Sequence, residues 1–406
     1  MSNKISVPSQ SITTLDHVDG DLIVGRHSTV KARGTLLTIN VAGTIYCEGN
    51  NIFEGNVSAK SLEAGDNVII HGNLQIETDV EVEEGRLEVY ENMTVRHVDI
   101  GEALFVVKNL VAEEIDIGGS LKVDGNVKAQ TIDVGGSFNA KGEVETNKID
   151  VGGSVSTDSK VNIEKLDVGG TAKVRGGRIR EIDVGGSFES NGPLEFESID
   201  VGGTVRLTEQ SVGKKIEVGG SFRVEGDLKF GEIEVGGKVE ITGSGEGEEV
   251  EVGGKVEVGG GLKLSEKLEV GGKVEVGGEL LAKNIEVGGV VHAKKATAEE
   301  HIEVGGAIAT IDGTTARFVE IGKKGEVQGP IKADQVIVGK EAHVENIYGK
   351  EIFLRSGAHA ENIYGEIVTI ESHCQINGEV LYVDELRLGE HVSLAKSPQK
   401  VKSLPS

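Results

Sequence analysis

The stretch "IDIGGSLKVDGNVKAQT", Ile115 to Thr131, is followed at once by "IDVGGSFNAKGEVETNK", Ile132 to Lys148. In the first copy the apolar residues Ile115, Ile117, Leu121, Val123, Val127 and Ala129 fall into three pairs, each pair alternating with one polar residue. Alternation with period two marks strand rather than helix. Turn residues separate the pairs: Gly118, Gly119 and Ser120, then Asp124, Gly125 and Asn126. Glycine accepts the positive φ that tight corners demand, and Asn and Asp tolerate it better than other residues. One copy therefore reads as three short strands with a corner after each.

The signature [ILV]-[DE]-[VI]-G-G begins at Ile115, Ile132, Ile149, Leu166, Ile182, Ile199, Ile216, Ile233, Val250, Leu268, Ile285 and Ile302, a beat of 17 residues with single slips to 16 and 18. Without the glycine doublet the beat runs back through Val98, Val80 and Leu62 and forward through Val319, Val336, Ile352, Val368 and Leu386. Three strands per copy, repeated along almost the whole chain, predict an all-β fold: a single-stranded, three-sided parallel β-helix in which equivalent positions stack. At a strand spacing of about 4.8 Å, roughly 20 to 22 coils give a rod on the order of 100 Å long. The usual hand of parallel crossovers favours a right-handed coil; the six-residue spacing of the pairs is also that of left-handed hexapeptide helices. The expected organisation is a flexible tail over 1–17, less regular coils over 18–97, regular coils over 98–394 and a flexible tail over 395–406.

Composition agrees with a periodic architecture. Aromatic content is 3%, there is no Trp, and 60 glycines stand against 5 prolines, which is unlike ordinary globular packing. A hydrophobic fraction of 37%, rich in Val and Ile, suffices for a core despite the net charge of -25. That acidity argues against nucleic acid, because a partner must neutralise phosphates. The start "MSNKISVPSQSITTLDHVDG" has neither a long apolar segment nor a cleavage site, so the chain reads as cytosolic and without a membrane span, although "MSNKISV" is uninformative about attachment to lipid. Cys47 and Cys374 are too far apart in the sequence to suggest a disulfide framework or a Cys-based metal site, and read as small core or surface residues.

A β-helix has two ends whose backbone groups and apolar interior lack a neighbour. No amphipathic helix is readable at either terminus, so end-to-end polymerisation is expected, a contact that extends without closing. The opening "VDGDLIVGRHSTVKARG", Val18 to Gly34, and the tandem "IDVGGS" and "IEVGGK" coils resemble the bactofilins, polymer-forming cytoskeletal proteins. The resemblance covers most of the chain, which is longer than bactofilin cores typically are. It implies a right-handed β-helix, nucleotide-independent and non-polar filaments built through terminal coils, and a scaffold role in cell shape or protein positioning. A weaker similarity is to the β-helical segments of division-site inhibitors. The residues expected at the polymerisation interface are Leu22, Val24 and Val30 at the first coil, and Tyr364, Tyr382, Leu386 and Leu388 in the aromatic-bearing last coils.

The residue between the first apolar pair is acidic in coil after coil: Asp116, Asp133, Asp150, Asp167, Asp183 and Asp200, then Glu217, Glu234, Glu251, Glu269, Glu286, Glu303 and Glu320. Stacking puts these carboxylates about 5 Å apart, a ladder that costs energy unless cations or basic neighbours offset it. It reads either as a stripe that docks divalent cations or a basic protein, or as a solvated face kept charged against lateral aggregation. Beside the glycines runs a hydroxyl column, Ser120, Ser137, Ser154, Thr171, Ser187, Thr204 and Ser221, which becomes Lys238, Lys255 and Lys273. No P-loop, nucleophile elbow or H-E-x-x-H motif occurs, and no cofactor is implied. His343 and His359, in "AHVENIYG" and "AHAENIYG", are expected to stack; a pair without a third ligand is weak ground for a catalytic metal. The reading is a structural protein that assembles with itself; the alternatives are a monomeric spacer docking cations or a basic partner, and a β-helical enzyme using the His pair.

Overall fold

The computed structural model describes residues 4–34, 37–208 and 210–405. Among them every regular element is a strand, with no helix. The chain divides into two compact units, Met1–Gly203 and Thr204–Ser406. In each, strands pair in parallel with the strand one turn away, so three ladders of short strands run side by side. In the first unit the strand Glu114–Ile117 pairs with Thr131–Val134, Ser120–Val123 with Ser137–Ala140, and Val127–Lys128 with Val144–Val151. The two units together hold about 23 turns some 17 residues apart, slightly more than the 20 to 22 expected.

The alternation dictates what is buried. Ile115, Ile117, Leu121, Val123 and Val127 all lie inside, and the same columns continue through Ile132, Val134, Phe138, Ala140 and Val144. Stacking like on like fills the core with Val and Ile, whose branched side chains suit the pleated surface. Both thiols belong to this core: Cys47 and Cys374 are buried and unpaired, and burial pushes the Cys47 thiol up to about 12.

The extra turns come from segments expected to be tails. Lys4–Val7 pairs with Asp21–Val24, Ile12–Leu15 with Thr29–Ala32, and His17–Val18 with Asn40 and Val41. The alternation in "KISV" and the apolar Leu15 and Val18 carry enough of the coil pattern to build a turn; residues 1–3 lie outside the described residues. At the other end Gln399–Lys400 pairs with Leu381 and Tyr382, and the Val401 N–H donates to the Tyr382 carbonyl at 2.8 Å. Leu22 pairs with Ile45, a longer step than the later beat, and Ile45 then pairs with Leu62.

The glycine doublets answer to coil stacking rather than to positive φ. Gly118 and Gly119 are absent from the left-handed region, which holds glycines such as Gly176 (φ 93°) and Gly177 (φ 118°), where one coil shortens. At the doublets, successive corners stack so closely that any Cβ would collide with the carbonyl of the corner before. A Cβ on Gly118 would lie 2.2 Å from the Gly101 oxygen, and one on Gly152 2.3 Å from that of Gly135. In the second unit a Cβ on Gly254 or on Gly272 would lie 2.2 Å from the carbonyl oxygen of Gly237 or Gly254. This contact accompanies the hydrogen bonds that join the corners, such as Gly135 N–H to the Ile117 carbonyl and Gly136 N–H to that of Gly119, both 2.9 Å.

Another corner of the first unit is joined by side chains. Asn56, Asn73, Asn92, Asn109 and Asn126 stack in one column. The Oδ1 of Asn73 accepts from the Asn92 backbone N–H at 3.1 Å and from its Nδ2 at 2.9 Å, and Asn92 Oδ1 accepts the same pair from Asn109 at 3.2 Å. The ladder ends where Glu143 donates its backbone N–H to Asn126 Oδ1.

Two substitutions test these corners by chemical denaturation. Gly152→Val should lose about 1–3 kcal/mol of stability as an overpacked site, whereas Gly65→Ala, whose added Cβ meets only the Glu48 oxygen at 3.6 Å, should stay within about 0.5 kcal/mol of the parent. Asn92→Ala strands the partners of its bonds and should cost about 1–3 kcal/mol; an unchanged midpoint would show that the ladder is ornamental.

Candidate functional site: an acidic wall and the open coil edges

The register places the predicted carboxylates in unbroken columns. In the first unit Asp116, Asp133, Asp150, Asp167, Asp183 and Asp200 are successive partners, and the column reaches back through Asp99, Glu81 and Glu63, residues outside the GG signature. In the second, Glu217, Glu234, Glu251, Glu269, Glu286, Glu303 and Glu320 follow one another in the same way. Past Glu320 the column turns to Ile337, Phe353, Thr369 and Arg387, with the Arg355 guanidinium 5.7 Å from the Phe353 ring centre.

Basic side chains offset part of the repulsion from two positions earlier on the same strands. Lys148 Nζ lies 3.0 Å from Asp150, Lys215 pairs with Glu217, and Lys267 bridges Glu269 and Glu286 at 2.5 and 3.2 Å. Where such help is missing the cost shows: desolvation, then the neighbouring Asp133 and Asp99, hold the Asp116 carboxyl above its usual range.

The hydroxyl-to-lysine column has a partner column that the sequence reading passed over. In the second unit Glu240, Glu257 and Glu275 stack beside Lys238, Lys255 and Lys273. Lys238 contacts Glu240 (3.0 Å) and Glu257, Lys255 contacts Glu257 and Glu275 (2.5 Å), and Lys273 contacts Glu275 (2.5 Å). Each cation thus bridges or joins a carboxylate staircase, and Lys255 and Lys273 pull the Glu275 carboxyl down to about 2.

The residues expected at the two ends fall in different places. Leu22, Val24 and Val30 do not face an open end: all three are 0% exposed, because Lys4–Val7 and Ile12–Leu15 stack over them. The open edge is one coil earlier, where Ile5 is 37% exposed. Tyr364 is likewise wall rather than end; it is buried, stacks on Tyr348 with ring centres 4.8 Å apart, and donates its hydroxyl to Glu379 at 2.9 Å. Leu386 and Leu388 do occupy the last coil, in the columns of the buried Val368 and Ile370, and Leu388 is 47% exposed. Tyr382, half-buried, continues the column of Gly349 and Gly365 and pairs with Lys400.

No family model, curated protein or solved structure matches the chain. Among the described residues no helix is long and apolar enough to cross a membrane.

The two kinds of carboxylate titrate in opposite directions. The raised Asp116 binds its proton more tightly folded than unfolded, so its contribution to stability falls as pH rises through the carboxylate range and is a penalty at neutral pH. The depressed Glu275 contributes stability above its unfolded pKa and loses it as pH falls toward about 2. In thermal melts Asp116→Asn should therefore raise the midpoint at pH 7 and lose the gain in acid; Glu275→Gln should lower it at pH 7 by the equivalent of under about 1 kcal/mol, as for exposed pairs, with the deficit vanishing in acid. The same sign for both variants at pH 7 would refute the assignment.

Proposed function

We propose that this chain is a structural protein, not an enzyme, that assembles with copies of itself through its end coils into nucleotide-independent filaments, scaffolding cell shape or the positions of other proteins. The observation that carries the reading is the last coil. Residues Glu385–Leu388 pair on one side with Ile367–Ile370, and among the described residues no strand lies on the other. Leu386, half-buried, and Leu388, 47% exposed, continue the apolar columns there. An unpaired parallel edge over an apolar floor is a template for another copy, and a contact of this kind propagates. The edge Lys4–Val7, with Ile5 exposed, has the same character. Self-assembly through terminal coils is also what the resemblance to bactofilins implies.

The acidic walls suit this reading. Sheets that present stacked like charges repel one another laterally, so association is steered toward the ends. A basic protein or divalent cations that neutralise the wall would then bundle filaments rather than lengthen them.

Negative-stain microscopy of the purified chain at micromolar concentration without nucleotide should show filaments, and Leu388→Glu should abolish them while leaving circular dichroism unchanged. Leu22→Glu, at a fully buried position, should instead unfold the protein. Single particles at all concentrations, or filaments persisting in Leu388→Glu, would overturn the proposal.

A further inference from the structure

His343 and His359 are register partners on adjacent coils of the second unit. Their rings lie 4.4 Å apart between centres at an interplanar angle of 69°, and His359 Nδ1 lies 2.6 Å from His343 Nε2. Two imidazole nitrogens this close share one proton. In the same column Glu326, one coil before His343, accepts from Gln328 Nε2 at 3.3 Å, and Gln375, one coil after His359, donates to Asn377 Oδ1 at 2.8 Å. The neighbouring columns fix the two coils in register: Asn362 Nδ2 donates to Asn346 Oδ1 at 2.8 Å, and Tyr348 stacks on Tyr364. The pair is therefore held by ties that do not involve the imidazoles.

We propose that these two histidines form a chelating site for a divalent transition-metal ion of the zinc class, bound across two coils. Zinc takes imidazole nitrogen at about 2.0–2.1 Å in a tetrahedral shell, which sets two nitrogens on one ion about 3.3 Å apart. The observed pair, 2.6 Å apart, needs to part by about 0.7 Å. Binding requires a lone pair on both facing nitrogens, so the proton between them moves to the far nitrogen of its own ring and none is lost. Among the described residues no three His, Cys, Asp or Glu side chains converge on a metal, so the protein supplies two ligands and water completes the shell. Glu345 and Glu361, two residues along the same strands, are occupied by the Gly329 N–H (3.0 Å) and by Asn377 Nδ2 (3.2 Å); they add negative charge rather than bonds. Imidazole donors favour zinc, nickel and copper over magnesium and calcium. A bound ion ties one coil to the next and stabilises the folded state by an amount that grows with the logarithm of its free concentration above the dissociation constant.

Isothermal titration of the chelator-stripped full chain with zinc chloride at neutral pH should show one site per chain, insensitive to excess magnesium, with a concentration-dependent rise in melting midpoint. His343→Ala and His359→Gln should each weaken binding at least tenfold and abolish the rise, with unchanged circular dichroism. His97→Ala, which contacts Asp79 in the first unit, and the double variant His373→Ala/His391→Ala, which removes another pair of neighbouring rings with centres 5.3 Å apart, should bind as the parent does. Absence of binding, loss through His373 and His391 instead, or binding that survives both single variants and yields to magnesium, which would place the ion on the carboxylate walls, would each overturn the assignment.

Discussion

Successive corners approach until the carbonyl of one glycine lies 2.2–2.6 Å from where the next would carry a Cβ, and the rest of the structure depends on that approach. It lets the backbone bonds between coils form at the corners as well as along the strands. Nearly identical coils then stand in register, so each residue meets its own kind one turn away. Apolar residues gain from this. Val and Ile columns pack a core that no single copy could close, because a copy on its own has no neighbour to bury it.

Polar residues must be chosen to survive the same arrangement. Amides do well, since Asn can accept from the following coil and donate to the preceding one, and the column from Asn56 to Asn126 uses that property. Carboxylates do badly, and the two units show two remedies. In the first, the Asp column is offset at intervals, as by Lys148 at Asp150, and elsewhere bears its repulsion, as Asp116 does. In the second, Lys238, Lys255 and Lys273 interleave with Glu240, Glu257 and Glu275 so that like stacks on like, while Lys238 and Lys255 also meet the carboxylate one coil on. The walls are thereby tolerable within a chain and repellent between chains.

Much of this was legible in the sequence. Pairs such as Ile115 with Ile117, set 17 residues apart, gave the strands, the corners and the stacking of the acidic ladder. The doublets were seen, but for a reason that belongs to other glycines: φ is a property of one residue, whereas the carbonyl that excludes a Cβ comes from the previous coil. The ends were misread because "KISV" and the last residues are too short to show a beat, and a coil built on Lys4–Val7 displaces Leu22 and Val24 into the core. The Lys–Glu staircase was half visible, as a lysine column whose partners sit two residues along the strand.

We propose that association takes place at coil edges and not on the walls. Hydrogen–deuterium exchange of the full chain, followed by mass spectrometry across a series of concentrations, tests this most directly. It predicts that peptides covering Lys4–Val7 and Glu385–Leu388 gain protection as concentration rises, while those covering Asp116 to Asp200 and Glu217 to Glu320 exchange as before. Protection that appears on the walls, or nowhere at any concentration, would contradict it.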